Sequence, residues 1–136
     1  MIHRLTNSFG KVYMTIYVDR EEKWLRYIRE GYQSENNIKT GMAALTDTIR
    51  QTGLECVLGD LSLVVGPISY SQWTAIEWAP QASKAGLKHM ALVVAPEAIA
   101  GVGLENFKNS QTHVETKVFF ELEEAKRWLR QFCKVR

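Results

Sequence analysis

Long apolar runs, cysteine, proline and charge of one sign are all scarce in this chain of 136 residues, and each scarcity excludes something. No stretch approaches the roughly 20 consecutive apolar residues that carry a helix across a bilayer, so integral membrane association is not expected. The opening Met1-Ile2-His3-Arg4-Leu5 has neither the apolar core nor the small-residue cleavage site of a secretory signal, and the chain is expected to be cytoplasmic. The only cysteines are Cys56, within an apolar strand, and Cys133, near the end of the last helix. Two thiols so placed in that compartment are expected to be reduced core residues rather than a bridge. The apolar neighbours of Cys56 disfavour the thiolate that a redox role would need.

Seventeen basic residues are interspersed with 15 acidic ones, for a net charge of +2. A nucleic-acid surface needs clustered charge, so no nucleic acid partner is expected. His3, His89 and His113 stand apart, with no carboxylate or thiol at ligand spacing, and no metal site is expected. There is no Gly-x-Ser-x-Gly nucleophile elbow and no Gly-x-x-x-x-Gly-Lys-Ser/Thr phosphate loop; Gly101-Val102-Gly103 is too short to be one. Without a nucleophile, base and oxyanion set the chain is not expected to be an enzyme, and it gives no sign of a cofactor.

What is present is a globular composition, 46% hydrophobic and 24% charged, that suits one domain over residues 1–136. Val12 to Val18 and Trp24 to Ile28 are rich in β-branched and aromatic residues. They flank the charged turn Asp19-Arg20-Glu21-Glu22 and predict an antiparallel hairpin. Ser34 then caps a helix running to about Thr52 with Gly53 beyond it, and Ile38, Met42, Leu45 and Ile49 mark the face that packs on the sheet. Leu54 to Leu61 reads as a buried central strand. Ser69 and Gln72 form a capping-box start for a tryptophan-bearing helix from about Ser69 to Leu87.

His89 to Ala95 is an apolar run suited to a parallel strand covered on both faces. Pro96 opens a short segment weakened by Gly101 and Gly103. Val114 to Val118 alternates like a half-exposed edge strand. The last helix gathers Leu122, Ala125, Trp128, Leu129 and Phe132 on one face, with acidic residues in its first turn and Arg130 and Lys134 in its last, complementing the helix dipole. The expected fold class is therefore α/β, a mostly parallel sheet of about five strands with the hairpin strand antiparallel at one edge, and about four helices.

Trp24-Leu25 followed by Gly31-Tyr32, Gly53-Leu54, Gly59-Asp60-Leu61, Gln72-Trp73, Trp78-Ala79-Pro80, Ala85-Gly86-Leu87, then Phe120, Ala125 and Trp128-Leu129 resemble the SpoIIAA-like, STAS-related proteins over nearly the whole chain. The resemblance implies a small α/β domain that acts without catalysis. Anti-anti-sigma factors of the wider group bind a protein kinase and are switched by phosphorylation of a serine at the start of the helix after the central strand. Here that place holds Gly66-Pro67-Ile68-Ser69 rather than Asp-Ser-Ser-Gly. A related lipid-binding architecture implies an apolar pocket under a movable helix, although its larger helical gate has no counterpart here.

Asp60 ends the central strand, where open α/β sheets place ligand crevices; it also suits a turn former that accepts backbone N–H groups. On the tryptophan helix Ala75, Trp78, Ala79, Ala82 and Gly86 share one face, while Trp73, Ile76, Pro80 and Leu87 share another. One face suffices for the sheet. The second stripe needs cover from a neighbouring helix, a second subunit or a ligand, and Pro80 is expected to kink the helix between them. The leading expectation is a regulatory or binding module whose protein partner or small apolar ligand is bordered by Asp60, Trp73, Ile76, Trp78 and Phe107. The surplus apolar surface also suits a homodimer. The alternative is a regulator phosphorylated at Ser69, where a helix amino terminus favours an anion, or at the less well placed Ser62.

Overall fold

The computed structural model describes residues 2–65, 77–95 and 114–133. Its elements are β1 (Ile2–Thr6), β2 (Val12–Asp19), β3 (Trp24–Gly31), α1 (Glu35–Thr52), β4 (Cys56–Val64), α2 (Ala79–Ala85), β5 (His89–Val93), β6 (Glu115–Phe119) and α3 (Leu122–Cys133). The six strands form one sheet in chain order, β1 to β6. The first three strands pair antiparallel, and β3 to β6 run parallel.

The expected hairpin is there, with Asp19 opposite Trp24, and the charged turn is fixed by Asp19 Oδ1 accepting the Glu22 N–H at 3.0 Å. Six strands replace the expected five, because Ile2–Thr6 pairs with β2 and displaces it from the edge. Strand β1 is almost wholly exposed, so it carries no buried stripe for a periodicity to reveal. Three helices fall among the described residues, against an expected four, and the segment after Pro96 lies outside them.

Helix α1 begins where Ser34 Oγ accepts the Asn37 N–H at 3.1 Å and ends at Gly53, whose φ of 71° is the left-handed value that glycine tolerates. Its predicted stripe, Ile38, Met42, Leu45 and Ile49, is buried against Met14, Ile16, Leu25, Tyr27 and Val57. Full burial contributes roughly 1.5–3 kcal/mol for each such side chain. At Gly41 a Cβ would lie 2.5 Å from Met14 Sδ, so the close approach of α1 to β2 depends on the missing side chain.

Helix α2 packs on the same face of the sheet, here called the inner face, through Trp78, Ala79 and Ala82. Proline was expected to kink a helix from about Ser69 to Leu87; Pro80 stands in the first turn of α2, and the earlier part of that expected helix lies outside the described residues. Glu77 and Trp78, just before it, form a wider π-type turn.

The outer face is covered over β4, β5 and β6 by α3, whose Leu122, Ala125, Trp128, Leu129 and Phe132 meet Trp24, Leu58, Ala91, Val93 and Phe119. The expectation of reduced thiols is overturned here: Cys56 and Cys133 are joined as a disulfide, with their Cα atoms 6.2 Å apart. Because α3 returns across the sheet, its last residue lies over the first residue of β4, a juxtaposition created by the topology across 77 residues of sequence.

Candidate functional site

Parallel sheets present ligands at the carboxyl ends of their strands. At that end β4 does not stop at Asp60 as expected but runs on to Val64. The ladder shows why the run was misread. Asp60 lies opposite Ile28, yet Leu63 lies opposite Glu30, so β4 carries one extra residue. The Asp60 carboxylate holds this bulge by accepting the Ser62 N–H at 2.9 Å and the Ser62 hydroxyl at 2.6 Å on the same oxygen. Asp60 thus acts as a local former of backbone geometry.

The bulge also changes which residues face out. Leu61 and Val64 both reach the inner cluster, although a regular strand would put them on opposite faces. Leu63 and Val65 are left 57% and 65% exposed. They lie beside the end of β3, where the Val65 N–H donates to Gly31 O at 3.0 Å and the next residue, Tyr32, is 75% exposed. Three large apolar side chains therefore crowd one corner, immediately before the connection to α2.

The strands below this corner are closely packed and hydrogen-bonded. The Tyr27 ring lies on Gly59, where a Cβ would stand 2.6 Å from ring atoms. Burial raises the Tyr27 pKa above its usual value; the Arg29 charge opposes that shift and Asp60 adds to it. Arg29 is itself buried on the inner face. It donates to Gln33 Oε1 at 2.9 Å and to Ile38 O at 3.2 Å, and Gln33 in turn donates to Tyr13 O and Glu30 O. Desolvation pulls the Arg29 pKa down, and the nearby Tyr27 and Tyr13 oppose it. This clip ties β2, β3 and the start of α1 together without a carboxylate partner among the described residues.

Trp78 is 1% exposed, and its indole N–H donates to Met42 O at 3.0 Å and Thr46 Oγ1 at 2.8 Å. Helix α1 therefore supplies its cover. Leu87, from the second predicted stripe, is also buried in the inner cluster. Of the other expected site residues, Trp73, Ile76, Phe107 and Ser69 lie outside the described residues. Ser62 is exposed beside Asp60. His89 opens β5, stacked on Phe132 with ring centroids 3.9 Å apart and with its Nε2 3.1 Å from Glu115 Oε1.

Sequence reasoning missed the corner residues Tyr32, Leu63 and Val65, because reading Asp60 as a strand end hid the apolar residues beyond it. It also missed a cleft of about 520 Å³ at the other end of β3, lined by Tyr17, Arg26, Ile28 and the turn residues Asp19 to Glu21. Arg26, set among apolar residues in the sequence of β3, was the available signal. A smaller hollow of about 180 Å³ lies between Ile16 and the Asp47–Thr48 turn of α1.

This arrangement is a SpoIIAA-like fold, as the resemblance implied. The chain is similar in structure to an uncharacterized protein of the DUF3478 family from Shewanella loihica PV-4, solved by crystallography and described as having that fold. The match has a TM-score of 0.56 and 17% sequence identity, and covers 85% of this chain and 93% of the other. No family model and no curated protein matches the sequence.

Proposed function

We propose that this chain is a non-catalytic regulatory or binding module that takes a protein partner or a small apolar ligand at the carboxyl ends of β3 and β4. The observation that carries this reading is the exposed corner of Tyr32, Leu63 and Val65, turned outward by the Asp60–Ser62 bulge. Contiguous exposed apolar side chains mark interaction sites more often than scattered ones do. In this reading Asp60 shapes the site, Trp78 anchors its floor from within, and Trp73, Ile76 and Phe107 are the further residues proposed to border it.

Native and denaturing mass spectra of protein purified gently from its own host test the reading. The expected result is added mass, from a ligand, a partner or a second copy, that disappears on denaturation and is absent from the Leu63→Lys/Val65→Lys variant. A bare monomer in both spectra of the unaltered protein contradicts it. A cytoplasmic setting belongs to the same proposal. Disulfides persist chiefly in oxidising compartments, so thiol trapping in intact cells should find Cys56 and Cys133 free if the setting is reducing.

The SpoIIAA-like fold supports a second reading, regulation by phosphorylation. A phosphate on Ser62 would face the Asp60 carboxylate that its hydroxyl now contacts, so like charges would oppose it. Ser69 is the better acceptor on sequence grounds. Intact masses without a phosphorylated fraction across several growth conditions would remove this reading.

A further inference from the structure

Among the described residues six large apolar side chains are more than half exposed: Ile2, Phe9, Tyr32, Leu63, Val65 and Phe120. All but Ile2 stand at one end of the sheet. Strand β2 runs antiparallel to β3 and pairs Met14 with Arg29, so the turn of residues 7–11 that carries Phe9 lies level with the end of β3, where Tyr32 follows Gly31. Leu63 and Val65 stand at the end of β4, with Leu63 opposite Glu30. Val93 pairs with both Asp60 and Phe119 across the parallel strands, so Phe120 lies at the carboxyl end of β6. The corner of Tyr32, Leu63 and Val65 is thus the middle of a longer row, which reaches the β1–β2 turn on one side and the start of α3 on the other. Phe9 is its most exposed member, at 87%, and the turn that presents it is ordered: Asn7 Oδ1 accepts the Phe9 N–H at 2.9 Å and the Lys11 N–H at 3.1 Å.

Carboxylates fringe the row. Glu30 lies opposite Leu63, Asp60 precedes the bulge, and Glu121 and Glu124 follow Phe120 at the start of α3; none of the four forms an ion pair among the described residues. Of the basic residues there, Lys39 is paired with Glu35 and Lys126 with Glu123, which leaves Lys11 and the buried Arg29. A chain of net charge +2 is therefore negative at this end. That charge discriminates among occupants. A second copy docked through the same row would set these carboxylates against their own counterparts, and an anionic membrane surface would be repelled. A cationic partner is attracted. The row crosses the strand ends, where no ladder of unpaired backbone groups is on offer, so an extended peptide has nothing to join; the apolar face of a helix needs only side chains to pack on. Four to five strand spacings of about 4.8 Å give a row of roughly 20–24 Å, the length of about 14–16 helical residues.

We propose that this row docks an amphipathic helix of a protein partner, apolar on one face and rich in lysine or arginine beside it. The inference rests on the reading of the corner as a binding surface and names the chemistry of what it takes.

The test uses the full chain labelled with nitrogen-15 and three synthetic peptides of about 16 residues. The first repeats leucine at helical spacing with lysine elsewhere, the second replaces every lysine by glutamate, and the third reorders the first so that no helical stripe remains. The first should shift the amides of Phe9, Tyr32, Leu63, Val65 and Phe120 together and saturably, with a Kd of about 100 μM or tighter, and the other two should bind at least about tenfold more weakly. Phe9→Ser and Phe120→Ser, exposed changes outside the corner, should each weaken the first peptide at least about threefold, whereas Arg50→Gln, in the last turn of α1, should leave it unchanged. A row that the first peptide leaves unmoved, equal binding by either control peptide, or shifts confined to the corner would overturn the proposal. Added mass in native spectra that depends on Leu63 and Val65, without binding of the first peptide, would overturn this inference and leave the binding module standing; a bare monomer that binds no peptide removes both. The comparison of peptides on the unaltered protein keeps the test decisive even if a variant fails to fold.

Discussion

Trp24 and Trp78 are equally buried, each 1% exposed, and they sit on opposite faces of the same sheet in opposite circumstances. The Trp78 indole donates to two acceptors of α1, inside a cluster whose buried residues include those of α1, α2 and strands β2 to β5. Among the described residues the Trp24 indole donates to none, under the edge of α3. The inner face is thus closed by packing and satisfied polar groups. Among the described residues the outer face is closed over β4 to β6 by one helix and a disulfide.

The largest way to break this contrast is to remove the staple. Replacing Cys56 and Cys133 together by serine releases a loop of 77 residues, and chain-entropy arguments put the loss near 4 kcal/mol, read as a lower urea midpoint. An unchanged midpoint would mean that α3 holds to the sheet by packing alone. Next comes Gly59→Ala, which forces a methyl group against the buried Tyr27 ring and should destabilise by about 1–3 kcal/mol in the same assay.

The two tryptophans sharpen the contrast directly. Trp78→Phe takes the indole donor from the Thr46 hydroxyl and from the Met42 carbonyl, which keeps the Thr46 hydroxyl as a donor, whereas Trp24→Phe deletes a donor that has no acceptor among the described residues. The first should therefore be worse than the second by about 1–2 kcal/mol. Equal losses would show that the indole bonds contribute nothing.

Alkaline titration probes the inner face in another way. Burial holds the Tyr27 pKa above the ordinary phenol value of 10.0, so the unfolded phenol releases its proton first as pH rises. Stability from this group is fully present below about pH 10 and is lost as the pH climbs from there through the folded pKa. Tyr27→Phe should make the alkaline decline shallower, with Tyr13, whose pKa burial also raises, contributing what remains. The smallest effect belongs to the surface pair Arg130–Glu22, at 2.7 Å, which ties α3 to the hairpin turn. Its hydrogen bond to Glu22 raises the Arg130 pKa. In an exposed, screened setting Glu22→Gln should still cost less than about 1 kcal/mol, and less again at high salt.

The legible parts of this fold were those governed by local chemistry. Ser34, Gly53 and the stripe from Ile38 to Ile49 define α1 without help from the rest of the chain, and the β-branched runs define the hairpin. Strand β1 was illegible because its order comes from β2, and its own residues are exposed. The Asp60 bulge was illegible because an aspartate with a serine two residues on, inside an apolar run, looks the same whether the strand ends or gains a residue. The Cys56–Cys133 bridge depends on how α3 crosses the sheet, which no spacing announces. The proposed site sits at one of these places, the corner at the bulge.

Amide hydrogen exchange, followed residue by residue in oxidised and reduced protein, tests the asymmetry of the two faces most directly. The structure predicts that reduction lowers protection in α3 and at the start of β4, while the amides of α1 and of β2 and β3 keep theirs. Loss of protection shared equally by α1 and α3, or by neither, would contradict the claim that the two faces of this sheet are held by different means.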